Sequence, residues 1–169
     1  MSVDIFEADL NNPKHAEALV FLLNQYAQDP MGGNKPLSEY TQQNLVTEIK
    51  KRTAVHVILA FVNDTPAGLI NAIEGFSTFA CKPLLNIHDV MVDKPFRGQG
   101  LSRKMFTKVE QIAHDLGCCK LTLEVLDNNT IAKTAYKNFG FQGYQLVPEC
   151  GQAVFMEKKL IGLGDAESS

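Results

Sequence analysis

The sequence has little cysteine, and none of it is arranged for a metal or a disulfide framework. Its four cysteines include an adjacent pair, Cys118 and Cys119, and no C-x-x-C. A zinc site and a disulfide scaffold are therefore not expected. The four histidines also lack metal-ligand spacing, so no bound metal is expected. Reduced thiols, and with them a cytoplasmic location, are the prediction.

The sequence also lacks long apolar runs and an excess of positive charge. No stretch approaches about 18 uninterrupted apolar residues, and residues 1–10 lack the basic and apolar regions of a signal peptide, so no membrane partner is expected. The net charge of −3 disfavours a nucleic-acid module, which usually carries a basic stripe. No internal repeat or linker divides the chain, so one domain is expected over residues 1–161, followed by a polar tail at 162–169.

What the sequence contains is a succession of strand-like and helix-like patterns. Their order is β, α, α, β, β, β, α, β, α, β, β, which predicts an α+β fold with a mostly antiparallel sheet of about seven strands and about four helices. A parallel step is expected where the helix that begins near Gly100 crosses between two strands. The predicted strands are Val3–Ala8, Val55–Val62, Ala67–Phe79, Leu85–Val92, Cys119–Leu126, Phe141–Val147 and Gln152–Lys159.

The most informative stretch runs from Leu84 to Phe106, where a strand pattern leads through a glycine-rich turn into a helix. The turn reads Arg97, Gly98, Gln99, Gly100, Leu101 and Ser102. The first N–H groups of a helix have no partner within it, and the helix dipole adds partial positive charge there. The two glycines let the backbone approach a phosphate, and the arginine, with Arg103 or Lys104, adds cations. The pattern indicates an anion site, although an ordinary strand–turn–helix connection is the alternative.

A second motif follows at residues 129–141 and reads N-x-x-A-x-x-x-Y-x-x-x-G-F. It begins at Asn129, contains Tyr136 and ends with Gly140 and Phe141. The turn itself matches R/Q-x-x-G-x-(G/A), with Ser102 where Gly or Ala is usual. The two motifs, separated by one predicted strand, resemble those of the GCN5-related N-acetyltransferases, the GNAT superfamily. The resemblance implies a twisted central sheet and one acyl-CoA N-acyltransferase domain. It also implies direct transfer of the acetyl group of acetyl-CoA to an amine in a ternary complex.

The resemblance also implies which residues contact acetyl-CoA. The strand before the turn would supply backbone N–H groups near Val90 and Met91 for the thioester carbonyl, and the turn would anchor the CoA diphosphate. Tyr136 matches the tyrosine that protonates the departing thiolate, or is a packing residue on a short helix. The expected cofactor-binding residues are Val90, Met91, Val92, Arg97, Gly98, Gln99, Gly100, Leu101, Ser102, Arg103, Asn129, Lys133 and Tyr136.

Three side chains are candidates for the base that removes the proton of the amine. His88 has an ordinary pKa suited to this role. Asp89 could act through a water molecule or attract a cationic amine, and its side chain is expected on the opposite strand face from His88. Glu124 on the following predicted strand is the third candidate. Each could also be a structural polar group, and ordered water could replace a side-chain base.

The acceptor is expected to be a primary amine of a small molecule. Residues 75–79 and 84–89 are similar to the stretch before the turn in diamine acetyltransferases, with His88-Asp89 where those enzymes carry two acidic residues. Residues 117–124 are similar to glucosamine-6-phosphate acetyltransferases. A protein lysine or N-terminal acetyltransferase and a non-catalytic acyl-CoA-binding module remain alternatives. A homodimer also remains open, because members of the family often dimerise.

Overall fold

The computed structural model describes residues 1–160, so the tail predicted at 162–169 lies outside them. The chain divides into two compact units, the first from Met1 to Leu123 and the second beginning at Glu124. The first unit contains the sheet and three of the helices that the structure describes, and the second contains the last of these helices.

One five-stranded sheet forms the frame of the first unit, in the order β1-β2-β3-β4-β5. The first four strands run antiparallel to their neighbours, and β5 pairs in parallel with β4. The strands are β1 at Val3–Glu7, β2 at Val55–Val62, β3 at Thr65–Ser77, β4 at Lys82–Val92 and β5 at Leu121–Leu123. The predicted α+β class, the mostly antiparallel sheet and its parallel step are confirmed.

The helices begin and end close to their sequence signals. The helices are α1 at Pro13–Gln28, α2 at Glu39–Lys50, α3 at Leu101–Asp115 and α4 at Thr130–Phe139. The Asn12 side chain accepts a hydrogen bond from the Lys14 N–H at the start of α1, and Ser38 accepts one from Thr41 at the start of α2. Gly140 ends α4 in a left-handed conformation that glycine adopts without steric cost.

The sheet of the first unit carries helices on both faces. On one face Leu19 and Leu22 of α1 pack with Leu69 of β3 and Met91 of β4. On the other face α3 lies so close that a β-carbon at Gly68 would stand 2.8 Å from Met105 Cε. Glycine at position 68 therefore lets β3 pass under α3. Burial of the apolar side chains between these layers stabilises the position of β4, the strand that leads into the glycine-rich turn.

The prediction of about seven strands is wrong for the residues that the structure describes. Instead of strands at Phe141–Val147 and Gln152–Lys159, the second unit has a single bridge between Gln145 and Gln152. Most apolar side chains of this segment are exposed, among them Leu146 and Phe155. An isolated hairpin with little burial is only marginally stable, so an alternating sequence pattern does not suffice to form it.

Candidate active site

The glycine-rich turn connects β4 to α3 with the geometry of an anion site. Gly98 and Gly100 have φ angles of 77° and 73°, which favour glycine. Gly100 is the N-terminal cap of α3, and no side chain caps this helix end. The first N–H groups of α3 are therefore left for a ligand. A diphosphate such as that of CoA fits this arrangement, because nothing lies within 4 Å of where a β-carbon would stand at either glycine.

Of the other residues predicted to bind the cofactor in the turn, one is buried in the core and the others are partly or fully exposed. Leu101 is fully buried and belongs to the apolar cluster with Val62 and Ala67, so it anchors α3. Ser102 is half-buried in the first helical turn, whereas Gln99 and Arg103 are exposed. The backbone of Leu101 and Ser102 and the exposed side chains are thus the parts that could reach an anion.

Arg97 is held by two partners on the first unit. Its Nε donates to the carbonyl oxygen of Val92 at 3.0 Å, and its guanidinium forms an ion pair with Asp29 Oδ2 at 3.1 Å. Asp29 follows α1 and also accepts a hydrogen bond from the Met31 N–H. The hydrogen bond from that N–H, together with the Arg97 guanidinium, holds the pKa of Asp29 below its ordinary range, although burial acts in the opposite direction. The ion pair thus joins the glycine-rich turn to the end of α1.

A cavity of about 280 Å³ lies beside this ion pair. It is lined by the end of α1, the end of β4 and the turn that follows. The lining residues are Gln25, Tyr26, Gln28, Asp29, Met91, Asp93, Lys94 and Arg97. Because carboxylates, cations and a phenol line it together, the cavity is suited to a polar or charged ligand.

The edge of β4 that faces β5 is open beyond Ile87. The two strands pair only from Leu85 to Ile87, whereas β4 stays paired with β3 as far as Val92. Asp93 donates its backbone N–H to the Ala67 carbonyl of β3 at 2.9 Å. Because backbone groups alternate between the two sides of a strand, Val90 and Val92 direct theirs to the open side. Of the two predicted donors, alternation favours Val90 over Met91, whose side chain packs in the core.

Asp89 lies on β4 next to this open edge and faces the α1 side of the sheet. Its Oδ2 accepts a hydrogen bond from Nδ2 of Asn71 on β3 at 2.9 Å. Burial raises the pKa of Asp89 above its ordinary value, although the hydrogen bond from Asn71 and the charge of His88 act in the opposite direction. Burial, followed by the charges of Asp89 and Asp29, raises the pKa of Tyr26. The phenol of Tyr26 is therefore within electrostatic range of both carboxylates.

His88 is the extra residue of a bulge in β4. Asn71 of β3 pairs with Asp89 and the next residue, Ala72, pairs with Ile87, which leaves His88 without a partner in the strand register. The His88 side chain is exposed, whereas that of Asp89 is partly buried. Ordinary alternation puts Asp89 on the same face as Met91, and the bulge puts Ile87 on the opposite face. Of the two neighbouring candidates for the base, Asp89 has the enclosed environment.

The other predicted site residues belong to the second unit. Asn129 caps α4, with its side chain accepting from the Ala132 N–H at 3.1 Å. Lys133 forms an ion pair with Asp127 at 2.7 Å. Tyr136 is half-buried on α4, with its ring 6.2 Å from that of Phe141. Glu124 is exposed and lies outside β5, which ends at Leu123, so its predicted place on a strand is wrong.

Sequence reasoning missed three residues of this region, namely Tyr26, Asp29 and Asn71. Tyr26 continues the apolar stripe of α1 at seven residues from Leu19, a helical spacing that could have indicated an inward-facing phenol. Asn71 interrupts the apolar run of β3, which is a signal for a functional polar group. No sequence signal pairs Asp29 with a residue 68 positions later.

Among residues 1–160 no group of three or more His, Cys, Asp or Glu side chains is placed to hold a metal ion. No helix in the same range is long and apolar enough to cross a membrane.

The sequence matches known proteins at the family level. The model of the acetyltransferase (GNAT) family matches residues 19–141. The thialysine N-epsilon-acetyltransferase of Caenorhabditis elegans is 30% identical over 131 residues, which cover 78% of this chain and 79% of that protein. The Bos taurus enzyme of the same name matches more locally, with 43% identity over 56 residues, or 33% of each chain.

Solved structures share the fold over nearly the whole chain. An integron cassette protein from the mobile metagenome of V. cholerae superposes with a TM-score of 0.76 and 23% identity, covering 100% of this chain and 99% of that one. AAC(6')-Iy in complex with a bisubstrate analogue, CoA-S-monomethyl-acetylneamine, superposes with a TM-score of 0.74 and 18% identity, covering 95% and 100%. At these identities the likeness shows a common fold.

Proposed function

Because this chain belongs to the acetyltransferase (GNAT) family, we propose that it transfers the acetyl group of acetyl-CoA to a cationic primary amine of a small molecule. The observation that carries the choice of acceptor is the partly buried Asp89 carboxylate beside the open edge of β4. A carboxylate in such a place attracts an ammonium group and can take its proton. The two acyl-transfer requirements, an anion anchor and backbone donors, lie on the same strand and the turn after it.

Different residues of the first unit would bind different parts of acetyl-CoA. The α3 N-terminus, Gly98, Gly100 and Arg97 would hold the CoA diphosphate. The N–H of Val90 would donate a hydrogen bond to the thioester carbonyl oxygen, which gains negative charge during transfer. Acetyl-CoA supplies the activated acyl group. Met91, packed in the core, fixes the position of this edge.

Proton transfer completes the reaction. The bound ammonium group must lose a first proton before its nitrogen can attack. As the new N–C bond forms and the C–S bond breaks, the nitrogen loses another proton to solvent and the departing sulfur gains one. Asp89 is the proposed acceptor of the first proton, since burial raises its pKa toward the range in which a carboxylate is an effective base. Tyr136 is the proposed donor of the proton that the sulfur gains, on its match to the family motif. Direct transfer predicts intersecting initial-rate lines when both substrates are varied.

The acceptor class is proposed from charge and from the relatives together. The C. elegans relative is by name a thialysine N-epsilon-acetyltransferase, which acts on a side-chain amine of an amino acid. Such an acceptor is a cation near neutral pH. Besides burial, the carboxylates Asp89 and Asp29 both raise the pKa of the Tyr26 phenol, so both act on the same region of the molecule. Their negative charges favour a cation of this kind. We therefore place thialysine, lysine and related diamines first among the acceptors.

A panel of amines with detection of released CoA thiol tests the proposal. Thialysine, lysine, a diamine, an aminoglycoside, glucosamine 6-phosphate and a lysine-containing peptide are each supplied with acetyl-CoA, and the acetylated product is identified by mass spectrometry. We expect thiol release with the small cationic amines, and none with an N-acetylated acceptor as control. Release with the peptide alone would replace the proposal by a protein acetyltransferase. Binding of acetyl-CoA without release would replace it by a non-catalytic module.

A further inference from the structure

Asn71 is the polar side chain that the core of the first unit encloses. Among the described residues it is the one polar or charged residue classed with the core, with 6% of its surface exposed. It lies on β3, directly across from Asp89 on β4. Its neighbours along the strand, Ile70 and Ala72, are fully buried. An amide at this position is exceptional in a strand that otherwise contributes apolar side chains to the core.

The two ends of the Asn71 amide differ in their hydrogen bonding. Nδ2 donates to Asp89 Oδ2 at 2.9 Å. Within residues 1–160, Oδ1 is the buried side-chain oxygen or nitrogen that has no hydrogen-bond partner. A buried amide oxygen without a donor is destabilising, and an apolar side chain of equal size would avoid that cost. The orphaned acceptor beside a carboxylate indicates that a group with N–H or O–H donors completes the site.

We propose that Asn71 is a positioning and binding residue of the acceptor site, which orients Asp89 through Nδ2 and accepts a hydrogen bond from the acceptor's ammonium group through Oδ1. This inference rests on the proposed function. An ammonium group carries three donors, so it can serve Asp89 and Asn71 Oδ1 at the same time. A ligand with a hydroxyl in place of the amine offers one donor and cannot serve both. The pair therefore selects amines over alcohols.

The pair also sets the ionisation of Asp89. The groups around this carboxyl are Asn71 from β3, His88 on β4 itself and the phenol of Tyr26 from α1, and of these Asn71 and His88 oppose the rise of its pKa. The bond donated by Asn71 stabilises the ionised form and lowers the pKa of Asp89. If an apolar residue replaces Asn71, that hydrogen bond no longer opposes the effect of burial on the pKa of Asp89. The pKa of Asp89 then rises further.

The test is Asn71→Leu, a substitution close in size, with Asn86→Leu as the matched control. Asn86 is a half-buried amide of β4 that donates to Thr122 Oγ1 at 2.7 Å rather than to Asp89. For Asn71→Leu we expect the KM for the amine to rise at least tenfold and the acid limb of the kcat/KM profile to shift to higher pH. The Kd of CoA should stay within twofold. Asn86→Leu should change neither the amine KM nor the acid limb.

A second variant separates the two roles of the amide. Asn71→Asp keeps an oxygen acceptor and replaces the amide donor by a second carboxyl, whose negative charge also raises the pKa of Asp89. It should recover part of the amine affinity that Asn71→Leu loses, while the acid limb stays shifted to higher pH. Thermal melting of each variant with CoA bound reports whether the fold is kept. A folded Asn71→Leu variant with the wild-type amine KM and pH profile would overturn the inference.

A readout without turnover distinguishes this inference from the proposed function. Binding of thialysine or a diamine to the complex with CoA is measured by calorimetry, and the Asp89 carboxyl is titrated by NMR. The inference holds if the wild type binds the amine and if Asn71→Leu both loses that binding and raises the pKa of Asp89. This is so even where no amine is acetylated. If the wild type acetylates an amine and Asn71→Leu leaves both measurements unchanged, the inference alone is overturned.

Discussion

At the scale of single residues, Asp89 shows how burial selects among chemically similar side chains. His88, Asp89 and Glu124 were all candidates for the base, yet His88 and Glu124 are exposed and Asp89 is partly buried. Its hydrogen bond comes from a neutral amide, which leaves the negative charge available to an incoming cation. The proposed acceptor, a small ammonium compound, follows from this uncompensated charge.

Tyr136 carries the first prediction. Tyr136→Phe removes the phenolic proton that would go to the departing thiolate, so turnover on a good amine should fall by roughly 100-fold. The Kd of CoA, measured by calorimetry, should change little because the aromatic ring remains. Tyr40→Phe, which changes an exposed tyrosine on α2, is the control and should keep full turnover. Wild-type turnover in Tyr136→Phe would remove Tyr136 from the acid role.

At the scale of elements, the turn between β4 and α3 is joined to the end of α1 through the Arg97–Asp29 ion pair. Arg97 is also the cation proposed for the CoA diphosphate. One guanidinium thus has a carboxylate partner in the structure and a diphosphate partner in the proposed complex. Because both are anions, they compete for the same donors.

That competition predicts opposite effects for two substitutions. Arg97→Ala should weaken CoA binding by about tenfold or more, since a charge-assisted contact is lost. Asp29→Asn should strengthen it by about two- to fivefold, because a partly exposed pair of this kind contributes up to about 1 kcal/mol. Calorimetry with CoA measures both. The control is Glu48→Gln on α2, which removes the ion-pair partner of Arg52 and should leave the Kd of CoA unchanged. Weaker CoA binding by Asp29→Asn would contradict the competition.

At the scale of the whole molecule, the His56 side chain of β2 forms ion pairs with residues of both neighbouring strands. His56 on β2 contacts Glu7 of β1 at 2.6 Å and Glu74 of β3 at 2.7 Å, with 12% of its side chain exposed. Burial disfavours the imidazolium, but the hydrogen bonds and charges of Glu74 and Glu7 outweigh it and raise the pKa of His56. Because the pKa is higher in the folded state, this residue makes the free energy of unfolding depend on pH.

The sign of that dependence follows from the raised pKa. The contribution of His56 is complete below the unfolded-state pKa, about 6.5, and is lost as the pH rises through the higher folded value. His56→Gln should therefore lower the free energy of unfolding by about 1 to 2 kcal/mol at acidic pH and by less at alkaline pH. Urea unfolding at pH 5.5 and pH 9 measures the difference. Gln111→Ala, an exposed change on α3 of a side chain that does not titrate, should show no such trend. Equal losses for His56→Gln at both pH values would refute the linkage.

The sequence by itself determined the features that depend on residues close together in the chain. The caps at Asn12 and Ser38, the end of α4 at Gly140 and the positive φ angles of Gly98 and Gly100 follow from local sterics and hydrogen bonding. The order of elements in the first unit and the parallel step were predictable for the same reason, because hydrophobic periodicity is a local property. The two spaced motifs then identified the family before any contact was known.

Only the tertiary structure decided which side chains meet. The bulge at His88 puts Ile87 on the opposite face from Asp89, whereas strict alternation along β4 would have placed the two on the same face. The pairing of Asp89 with Asn71, and of Arg97 with Asp29, joins residues 18 and 68 positions apart. The predicted last hairpin did not form, because burial and not periodicity stabilises strands. Register and burial arise from the packed molecule, so the local sequence specified the glycine-rich turn while packing brought Asp89 and Asn71 together.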